Sequence, residues 1–200
     1  MPVTWIPGSG FWANSYLVGE VLVDCGVLPM QVAPYRDRIG EIVLTHCHHD
    51  HTAHITEIRA MTRGKVSIHR LDGPGLGDGL LTSAMLFGER ASPVAVDRLL
   101  DDGDQVGDLK VIHTPGHTPG SICLYHDGEE ALISGDTVFT HGSFGRYDLP
   151  GGSLPSIQES LKKLSGYSVR GVYPGHGDPV REGGSRHVAA ALKAAGELHG

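Results

Sequence analysis

The segment "LTHCHHDHTAH", residues 44–54, constrains this chain more than any other part of its sequence. It places five histidines and one aspartate within eleven residues, in a chain that holds 13 histidines. Imidazole nitrogen and carboxylate oxygen are both favoured zinc ligands. The three cysteines, Cys25, Cys47 and Cys123, are widely spaced and form no Cys-x-x-Cys pair, so neither a thiolate site nor a disulfide framework is expected. The segment therefore predicts a metal site built from histidine and carboxylate.

The spacing inside this segment is specific. Four ligand-type residues form the pattern H-x-H-x-D-H: His46, His48, Asp50 and His51. They follow "EIVLT" at 41–45, which predicts a buried strand. In extended backbone, residues i and i+2 point the same way, so we expect His46 and His48 to reach one ion together. Asp50 and His51, at the turn into a helix predicted over 52–62, are placed to reach a second ion.

The other residues of the segment are not expected to bind metal. Cys47 lies between two candidate ligands and is expected to pack in the core. His49 alternates away from the ions. His54 falls on the predicted helix, for which Thr52 is the candidate N-cap.

Further candidate ligands follow three later strands, each just past its carboxyl end. His117 follows "LKVIHT" (109–114), Asp136 ends "EALISGD" (130–136) and His176 follows "VRGVYPG" (169–175). Strand ends on one edge of an α/β layer converge on a shared crevice. The order and placement of these residues therefore predict one composite site.

The remaining pattern alternates short strands with helices. Strands are predicted at "VTWI", "SYLV", "EVLVD", "KVSIH" and "SICLYH", and helices over 153–165 and 185–198. This order predicts two sheets covered by helices on both outer faces. No linker divides the chain, so we expect one domain over residues 1–200. Residues 71–93 hold five glycines and two prolines, and predict an irregular excursion with a short helix near 80–87, either a lid or a mobile surface loop.

Taken together, these motifs resemble the metallo-β-lactamase superfamily. The resemblance extends from "NSYLV" and "VLVDCG" to "YPGHGDP", and "GSFGRYDLPGGS" after Asp136 is similar to short, glyoxalase II-like hydrolases. The family likeness implies a four-layer αββα sandwich with the metal site at the edge of the sheets.

The resemblance also assigns ligands to two divalent ions, with zinc as the expected metal and iron and manganese as alternatives. It implies that one ion is held by His46, His48 and His117. It implies a second ion held by Asp50, His51 and His176, with Asp136 bridging both. Such a pair lowers the pKa of a shared water and polarises an acyl carbonyl. Asp50 and Asp136 are the expected catalytic carboxylates, and Asp50 is expected to orient the nucleophile and move its proton.

Several residues near these motifs could have either of two roles. Asp24 is expected either to orient a ligand or to form a turn. Arg146 and Tyr147 are candidate substrate-binding residues, since Arg can pair with a carboxylate and Tyr can donate to an oxyanion. The alternative is that they only build their loop, with Arg146 paired to a local aspartate. His113 and His141 are not expected to be ligands.

The leading expectation for function is hydrolysis of a hydroxyacyl-glutathione type thioester or a related ester. Only 24 residues follow His176, whereas glyoxalase II enzymes carry a C-terminal helical domain that contacts glutathione, so another acyl group stays open. One alternative is a persulfide dioxygenase-like enzyme with a single iron on His46, His117 and Asp136. A lactonase is the other; a β-lactamase, a nuclease and a non-catalytic metal module are less favoured.

The composition of the chain disfavours some classes of binding partner. The net charge of −7 disfavours a broad nucleic-acid or anionic-membrane footprint. No apolar run approaches the roughly 18 residues of a membrane span, and no secretory signal is visible, so a cytoplasmic location is expected. The expected partner is a small molecule, and the oligomeric state is left open.

Overall fold

The computed structural model describes residues 2–91 and 94–198, and β-strands dominate the described part. The strands are β1 (Thr4–Ile6), β2 (Ser15–Val18), β3 (Val21–Val23), β4 (Glu41–Leu44), β5 (Lys65–His69), β6 (Arg98–Leu100), β7 (Gln105–Val106), β8 (Leu109–His113), β9 (Ile122–His126), β10 (Ala131–Gly135) and β11 (Gly171–Pro174). The α-helices are α1 (Pro29–Val32), α2 (His49–Thr52), α3 (Ile55–Thr62), α4 (Leu154–Leu164) and α5 (Gly184–Gly196).

The strands form two sheets that divide the chain into halves. The first sheet has the order β1-β2-β3-β4-β5-β6, and the second has the order β11-β10-β9-β8-β7. From β3 to β6 the pairing is parallel, and β10 pairs with β11 in parallel. The carboxyl ends of β4, β10 and β11 are the points from which most of the predicted ligands follow.

Apolar side chains point alternately to the two faces of each strand, which explains why the sheets pack against each other and against the helices. Val21, Val23 and Val43 face a core shared with the second sheet, whereas Leu22 and Ile42 face a core shared with the helices on the other side. The second sheet repeats this arrangement, with one face in the shared core and the other against α4 and α5. Successive side chains of a strand point to opposite faces, so both faces of each sheet are buried. The predicted αββα sandwich is confirmed.

Helix α4 shows how local sequence fixes an outer layer. The Ser153 side chain accepts a hydrogen bond from the amide of Ser156, which caps the helix at the predicted place. Ile157, Leu161 and Leu164 recur at helical spacing and are buried against the second sheet. Burial of such side chains contributes about 1.5–3 kcal/mol each.

Some predicted boundaries were wrong. The helix predicted over 52–62 begins later than expected: α3 starts at Ile55, and its N-cap is His54, not Thr52. Thr52 closes α2, where its hydroxyl donates to the carbonyl of His48 at 3.1 Å. Strands β6 and β7 were missed because they are short and largely exposed, which leaves no clear apolar alternation.

The excursion predicted over 71–93 is irregular, as expected. It contains two 3-10 helices, Gly73–Gly77 and Ala84–Phe87; the second replaces the short helix predicted near 80–87. Ser92 and Pro93, at its end, lie outside the described residues. None of the helices in the described part of the chain is both long and apolar enough to cross a membrane.

Candidate metal centre

The seven predicted ligands meet at one edge of the sandwich. His46 and His48 follow β4, and Asp50 and His51 lie in α2. His117 lies in the loop between β8 and β9. Asp136 follows β10 directly, and His176 follows β11. Their ligand atoms form three overlapping groups within which all atoms lie within 4.8 Å of one another: His46, His48 and His117; His46, His51 and Asp136; Asp50, His51 and His176.

The first group is deeply buried. His46, His48 and His117 are all nearly inaccessible to solvent. Nδ1 of His48 lies 2.8 Å from Nε2 of His117. Two ligands on one zinc ion, each about 2.0–2.1 Å from it, are separated by roughly 3–3.5 Å. These three imidazoles therefore have close to the spacing that one ion requires.

The second group opens toward solvent. Oδ2 of Asp50 lies 3.0 Å from Nε2 of His176 and 3.9 Å from Nε2 of His51. His51 is fully buried, whereas His176 is the most exposed of the seven residues. A substrate would therefore approach this second group more easily than the first.

Asp136 lies between the two groups. Its Oδ1 is 3.1 Å from Nε2 of His51, and its Oδ2 is 3.5 Å from Nε2 of His117 and 3.6 Å from Nε2 of His176. One carboxylate thus touches both groups with different oxygens. This is the position that a bridging ligand must occupy.

Several buried atoms of the site lack a hydrogen-bond partner. They are Nε2 of His46, Nε2 of His51 and Oδ1 of Asp136. Nε2 of His48 is unpaired as well, but Nδ1 is the nitrogen of His48 that faces His117. An unpaired buried polar atom costs about 1–3 kcal/mol, so such a concentration within the described structure calls for an explanation. Cations that these nitrogens and oxygens could coordinate would satisfy them. The donor set therefore fits divalent metal ions.

Hydrogen bonds to the Nδ1 atoms of two histidines leave the Nε2 atoms of the same rings free to face the site. Nδ1 of His51 faces a carboxylate oxygen of Asp24 at 2.8 Å, and Nδ1 of His117 faces the Arg146 carbonyl at 2.6 Å. Both partners are acceptors, so each Nδ1 carries the proton. The Nε2 lone pairs of His51 and His117 are then free to point into the site, as a ligating histidine requires.

His46 is held in the same way through Thr45. The Thr45 hydroxyl donates its single proton to Asp24 at 2.8 Å, so it accepts from Nδ1 of His46 at 3.1 Å. Asp24 is buried and also accepts from the Thr45 amide at 2.8 Å. Of the two readings of Asp24, the structure supports the orienting one, although its φ of +60° also makes it a turn residue.

The electrostatics of the site follow its charge pattern. Burial, reinforced by His51, holds the pKa of His46 well below its usual range, and burial with His117 lowers that of His48 to about 3. Burial opposes ionisation of Asp136, but the adjacent His51 outweighs it and keeps the Asp136 pKa low. Burial likewise disfavours a charged His51, yet Asp136 and Asp24 raise its pKa well above the ordinary value. A metal ion would therefore compete with a proton for His51.

Two supporting residues escaped the sequence reasoning. The buried carboxylate of Asp72 accepts from the amide of Cys47, the hydroxyl of Thr118 and the amide of Gly120, at 3.0, 2.7 and 2.6 Å. It ties the loop of His46 and His48 to that of His117. Asn14 similarly donates to the carbonyls of Pro174 and Gly177, at 3.1 and 2.8 Å, on either side of His176. Each lies far from the ligand motifs in sequence. Asn14 opens the "NSYLV" stretch of the family likeness, but that stretch does not indicate the role of its side chain.

The need for glycine at position 175 was also not predicted from the sequence, and the reason for it is steric. A Cβ at this position would lie 2.2 Å from Oδ1 of Asp136 and 2.6 Å from Cε1 of His51. Only glycine lets β11 pass this close to the site. The "PGH" sequence holds this signal, since a glycine directly before a candidate ligand indicates a close approach.

A cleft of about 410 Å³ opens onto the site. His48, Asp50, His117, Asp136 and His176 line its floor, and its walls come from Gly10, Phe11, Ser83, Leu86, Phe87, Phe139, Phe144, Arg146 and Leu149. This volume is within the range of small-molecule sites.

Arg146 and Tyr147 differ in their relation to this cleft. Arg146 lies on its wall, as predicted, but its guanidinium pairs with both oxygens of Asp148, at 2.9 and 2.8 Å. Tyr147 packs against the core beneath α4 and α5, with its ring stacked on Phe144 at 6.5 Å between centroids. The Tyr147 side chain is not part of the described cleft wall, so the loop-building reading fits it better.

The cysteine and the histidines that were predicted not to bind metal lie outside the ligand groups. Cys47 is buried in the core, as predicted. His49 and His54 pack edge-on against Trp12, with centroids 5.8 and 5.6 Å away. His54 is half-buried rather than exposed because it caps α3 and its Nδ1 donates to the carbonyl of Gly26 at 3.1 Å. His113 stacks on His69, and His141 contacts His187.

Two stacked sheets, helices on both outer faces and a His/Asp cluster at one edge define an αββα fold with a candidate metal site. Residues 10–176 match the model of the metallo-beta-lactamase superfamily. The chain belongs to the metallo-beta-lactamase superfamily, as its motifs predicted.

Relatives of this chain include proteins with and without a stated activity. A probable metallo-hydrolase of Methanocaldococcus jannaschii is 32% identical over 192 residues, which cover 86% of this chain and 90% of that protein. A protein of Aquifex aeolicus is 38% identical over 132 residues, covering 64% of this chain and 62% of that protein. An atrochrysone carboxyl ACP thioesterase of Aspergillus fumigatus is 28% identical over 179 residues, covering 82% of this chain and 50% of that enzyme.

Solved structures show the same fold. TTHA1623, crystallised in a di-iron-bound form, has a TM-score of 0.79 and 30% identity, covering 96% of this chain and 97% of that one. The B3 metallo-beta-lactamase BLEG-1 has a TM-score of 0.84 and 28% identity over the full length of both chains. The fold is therefore shared by proteins of different described activity.

Proposed function

We propose that this protein is a binuclear metal-dependent hydrolase that cleaves a thioester or a related ester, in the manner of glyoxalase II-like enzymes. The observation that carries the proposal is the position of Asp136. One of its oxygens lies 3.1 Å from Nε2 of His51 and the other lies 3.5 Å from Nε2 of His117, so it reaches both ligand groups.

The ligand assignment follows this geometry. His46, His48 and His117 would hold one ion, Asp50, His51 and His176 the other, and Asp136 would bridge them. When bound, two such ions supply a Lewis acid for an acyl carbonyl and lower the pKa of a shared water toward neutrality. Zinc is the leading candidate metal, while iron is supported by the di-iron form of TTHA1623.

The chain's own residues orient the site and move the proton. Asp24 fixes the ring of His51, and the Arg146 carbonyl fixes that of His117. Burial disfavours a charged Asp50, but His51 and a hydrogen bond from His176 keep its pKa low. Asp50 is therefore an ionised carboxylate at the open side of the site, where we assign it the roles of orienting the nucleophile and accepting its proton.

Two observations support hydrolysis over the single-iron oxidoreductase. Asp50, His51 and His176 form a complete second ligand group, which one iron on His46, His117 and Asp136 would not require. The Aspergillus relative is a thioesterase, which makes a thioester a reasonable first substrate class. A lactonase is less supported, since its candidate oxyanion donor, Tyr147, packs away from the cleft.

The test is thiol release from a thioester by protein loaded separately with zinc, iron(II) or manganese(II). S-lactoylglutathione is the reference substrate, and Asp50→Ala should abolish turnover. Asp108→Asn, an exposed aspartate in the turn between β7 and β8, is the matched control and should retain it. A near-normal rate for Asp50→Ala would remove its assigned role. Oxygen uptake on glutathione persulfide without thioester cleavage would replace the proposal with the oxidoreductase.

A further inference from the structure

The chain places all of its phenylalanines on the walls of one cleft. The sequence contains four, and each of them, Phe11, Phe87, Phe139 and Phe144, lines the cleft above the ligand groups. None of the four is fully buried. Phenylalanine is ordinarily among the residues most often found inside a protein. The core of this chain is built from aliphatic residues and tyrosine instead.

One of these rings contacts a candidate ligand, and another is held by a neighbouring tryptophan. Phe139 packs edge-on against the His176 ring at 6.2 Å between centroids. Phe87 stacks on Trp12 at 5.5 Å between ring centroids, which holds the Phe87 ring in place. Phe11 and Leu86 are 81% and 68% exposed and form the rim. An exposed apolar surface that continues into a polar site is typical of a ligand-binding groove.

The described side chains of the cleft lining include no unpaired cation that could bind an anionic leaving group. Arg146 is the one lysine or arginine among its described lining residues, and its charge is engaged by Asp148 at 2.8 Å. Glutathione carries a net negative charge, so a site selective for it would be expected to present a free cation.

We propose that the cleft selects an aromatic acyl group, and that the preferred substrates are arylacyl thioesters or esters rather than hydroxyacyl-glutathione. The inference rests on the proposed hydrolase function. Aromatic rings of the acyl group would pack against Phe87 and Phe139 in offset or edge-on geometry, with the carbonyl directed to the ligand groups. The thiol would contribute little to recognition.

Four thioesters separate the acyl preference from the thiol preference. Phenylacetyl and lactoyl groups are each joined to N-acetylcysteamine, which is neutral, and to glutathione. With the metal-loaded full chain, phenylacetyl should exceed lactoyl in kcat/KM by about tenfold or more on either thiol. Glutathione should give no advantage over N-acetylcysteamine. Equal or faster cleavage of S-lactoylglutathione would overturn the inference.

Binding gives a readout that does not depend on turnover. Calorimetric titration should show phenylacetate binding about tenfold more tightly than acetate, since the two differ only in the ring. If all four thioesters resist cleavage, the proposed hydrolase function fails, while this difference still decides the inference about the cleft. Equal binding of the two carboxylates would contradict it.

Exposed rim residues provide variants that do not threaten folding. Phe11→Ala and Leu86→Ala should each lower the phenylacetyl-to-lactoyl ratio of kcat/KM severalfold. Met30→Ala and Leu99→Ala are the controls, because these side chains are 75% and 52% exposed and lie outside the described cleft wall. The ratio should not change in the controls. A ratio unchanged in both variants would show that Phe11 and Leu86 do not contribute to recognition of the acyl group.

Discussion

Nε2 of His51 and Oδ1 of Asp136 lie 3.1 Å apart, and neither atom has a hydrogen-bond partner. The two atoms are close but misaligned for a hydrogen bond, which is the relationship of two ligands aimed at a common point. Gly175 keeps the space beside them open, since a Cβ there would lie 2.2 Å from the same Asp136 oxygen. The pair therefore marks a place where a cation is needed to satisfy the site.

Metal removal should destabilise the protein strongly. A ligand at about 1,000 times its Kd stabilises the folded state by roughly 4 kcal/mol, so chelation should remove a gain of that size. Urea unfolding with and without zinc measures it. His51→Gln should lose the part of the zinc-dependent gain that comes from the second ion, and His54→Gln, at a neighbouring position outside the ligand groups, should keep all of it. A zinc effect of equal size in both variants would argue against His51 as a ligand.

Asp24→Asn should weaken metal binding without removing a ligand. The carboxylate accepts from Nδ1 of His51 and from the hydroxyl and amide of Thr45, so it orients His51 directly and His46 through Thr45. Loss of such a partner typically costs 10–100-fold in affinity, which competition with a chelator of known affinity would report. Asp37→Asn, at an exposed site, is the control. Unaltered affinity in Asp24→Asn would show that His51 holds its orientation unaided.

Asp72→Asn should lower stability even in metal-free protein. An amide at this buried position cannot accept all three hydrogen bonds from Cys47, Thr118 and Gly120 with equal strength. Leaving buried groups unpaired costs about 1–3 kcal/mol, measurable as a shift of the urea midpoint. Asp108→Asn should have no such effect. If Asp72→Asn unfolds at the wild-type midpoint, the two ligand loops are held by other contacts.

Metal-free protein should lose stability as pH falls below about 6.5. Burial lowers the pKa of His48 to about 3, so the unfolded chain binds more protons than the folded one between these values. Unfolding is then favoured as pH falls through this window, by about 1.4 kcal/mol at pH 5.5 for each such imidazole. His46 acts in the same direction, and His51, whose pKa is raised, acts against it. Urea unfolding of chelated protein at pH 7 and 5.5 measures the balance.

The matched variant for this pH effect is His48→Gln. It removes one low-pKa imidazole, so its loss of stability between pH 7 and 5.5 should be smaller than that of the wild type. A steeper loss in the variant would reverse the assignment of His48 as a buried neutral imidazole.

Asp148→Asn should improve binding of glutathione thioesters. It releases the Arg146 guanidinium, which is exposed and paired only with Asp148 among the contacts described. Freed, the cation can attract an anionic thiol, and an exposed ion pair of this kind is worth up to roughly fivefold in KM. The Arg146→Ala, Asp148→Asn double variant should show no gain. A KM unchanged by Asp148→Asn alone would place the guanidinium beyond reach of the thiol.

The sequence predicted which side chains meet at the edge of the sandwich, but not which residues support them. Ligand positions were visible because His46, His117, Asp136 and His176 each follow an apolar strand, and strand ends converge. Asp72 and Asn14 were invisible because their roles depend on backbone atoms more than 20 residues away. Helix α2 was missed because it has only four residues, HDHT, and none of them is an apolar residue that could reveal a helical period. The aromatic cleft needed the structure, since its four phenylalanines lie at scattered positions.

The most direct test of the central claim is the metal content of the purified chain, measured by elemental analysis after reconstitution and removal of free ions. The two ligand groups and the shared Asp136 predict two divalent ions per chain, falling to about one in His176→Gln. One iron per chain, unchanged in His176→Gln, would contradict the binuclear site and with it the proposed hydrolase.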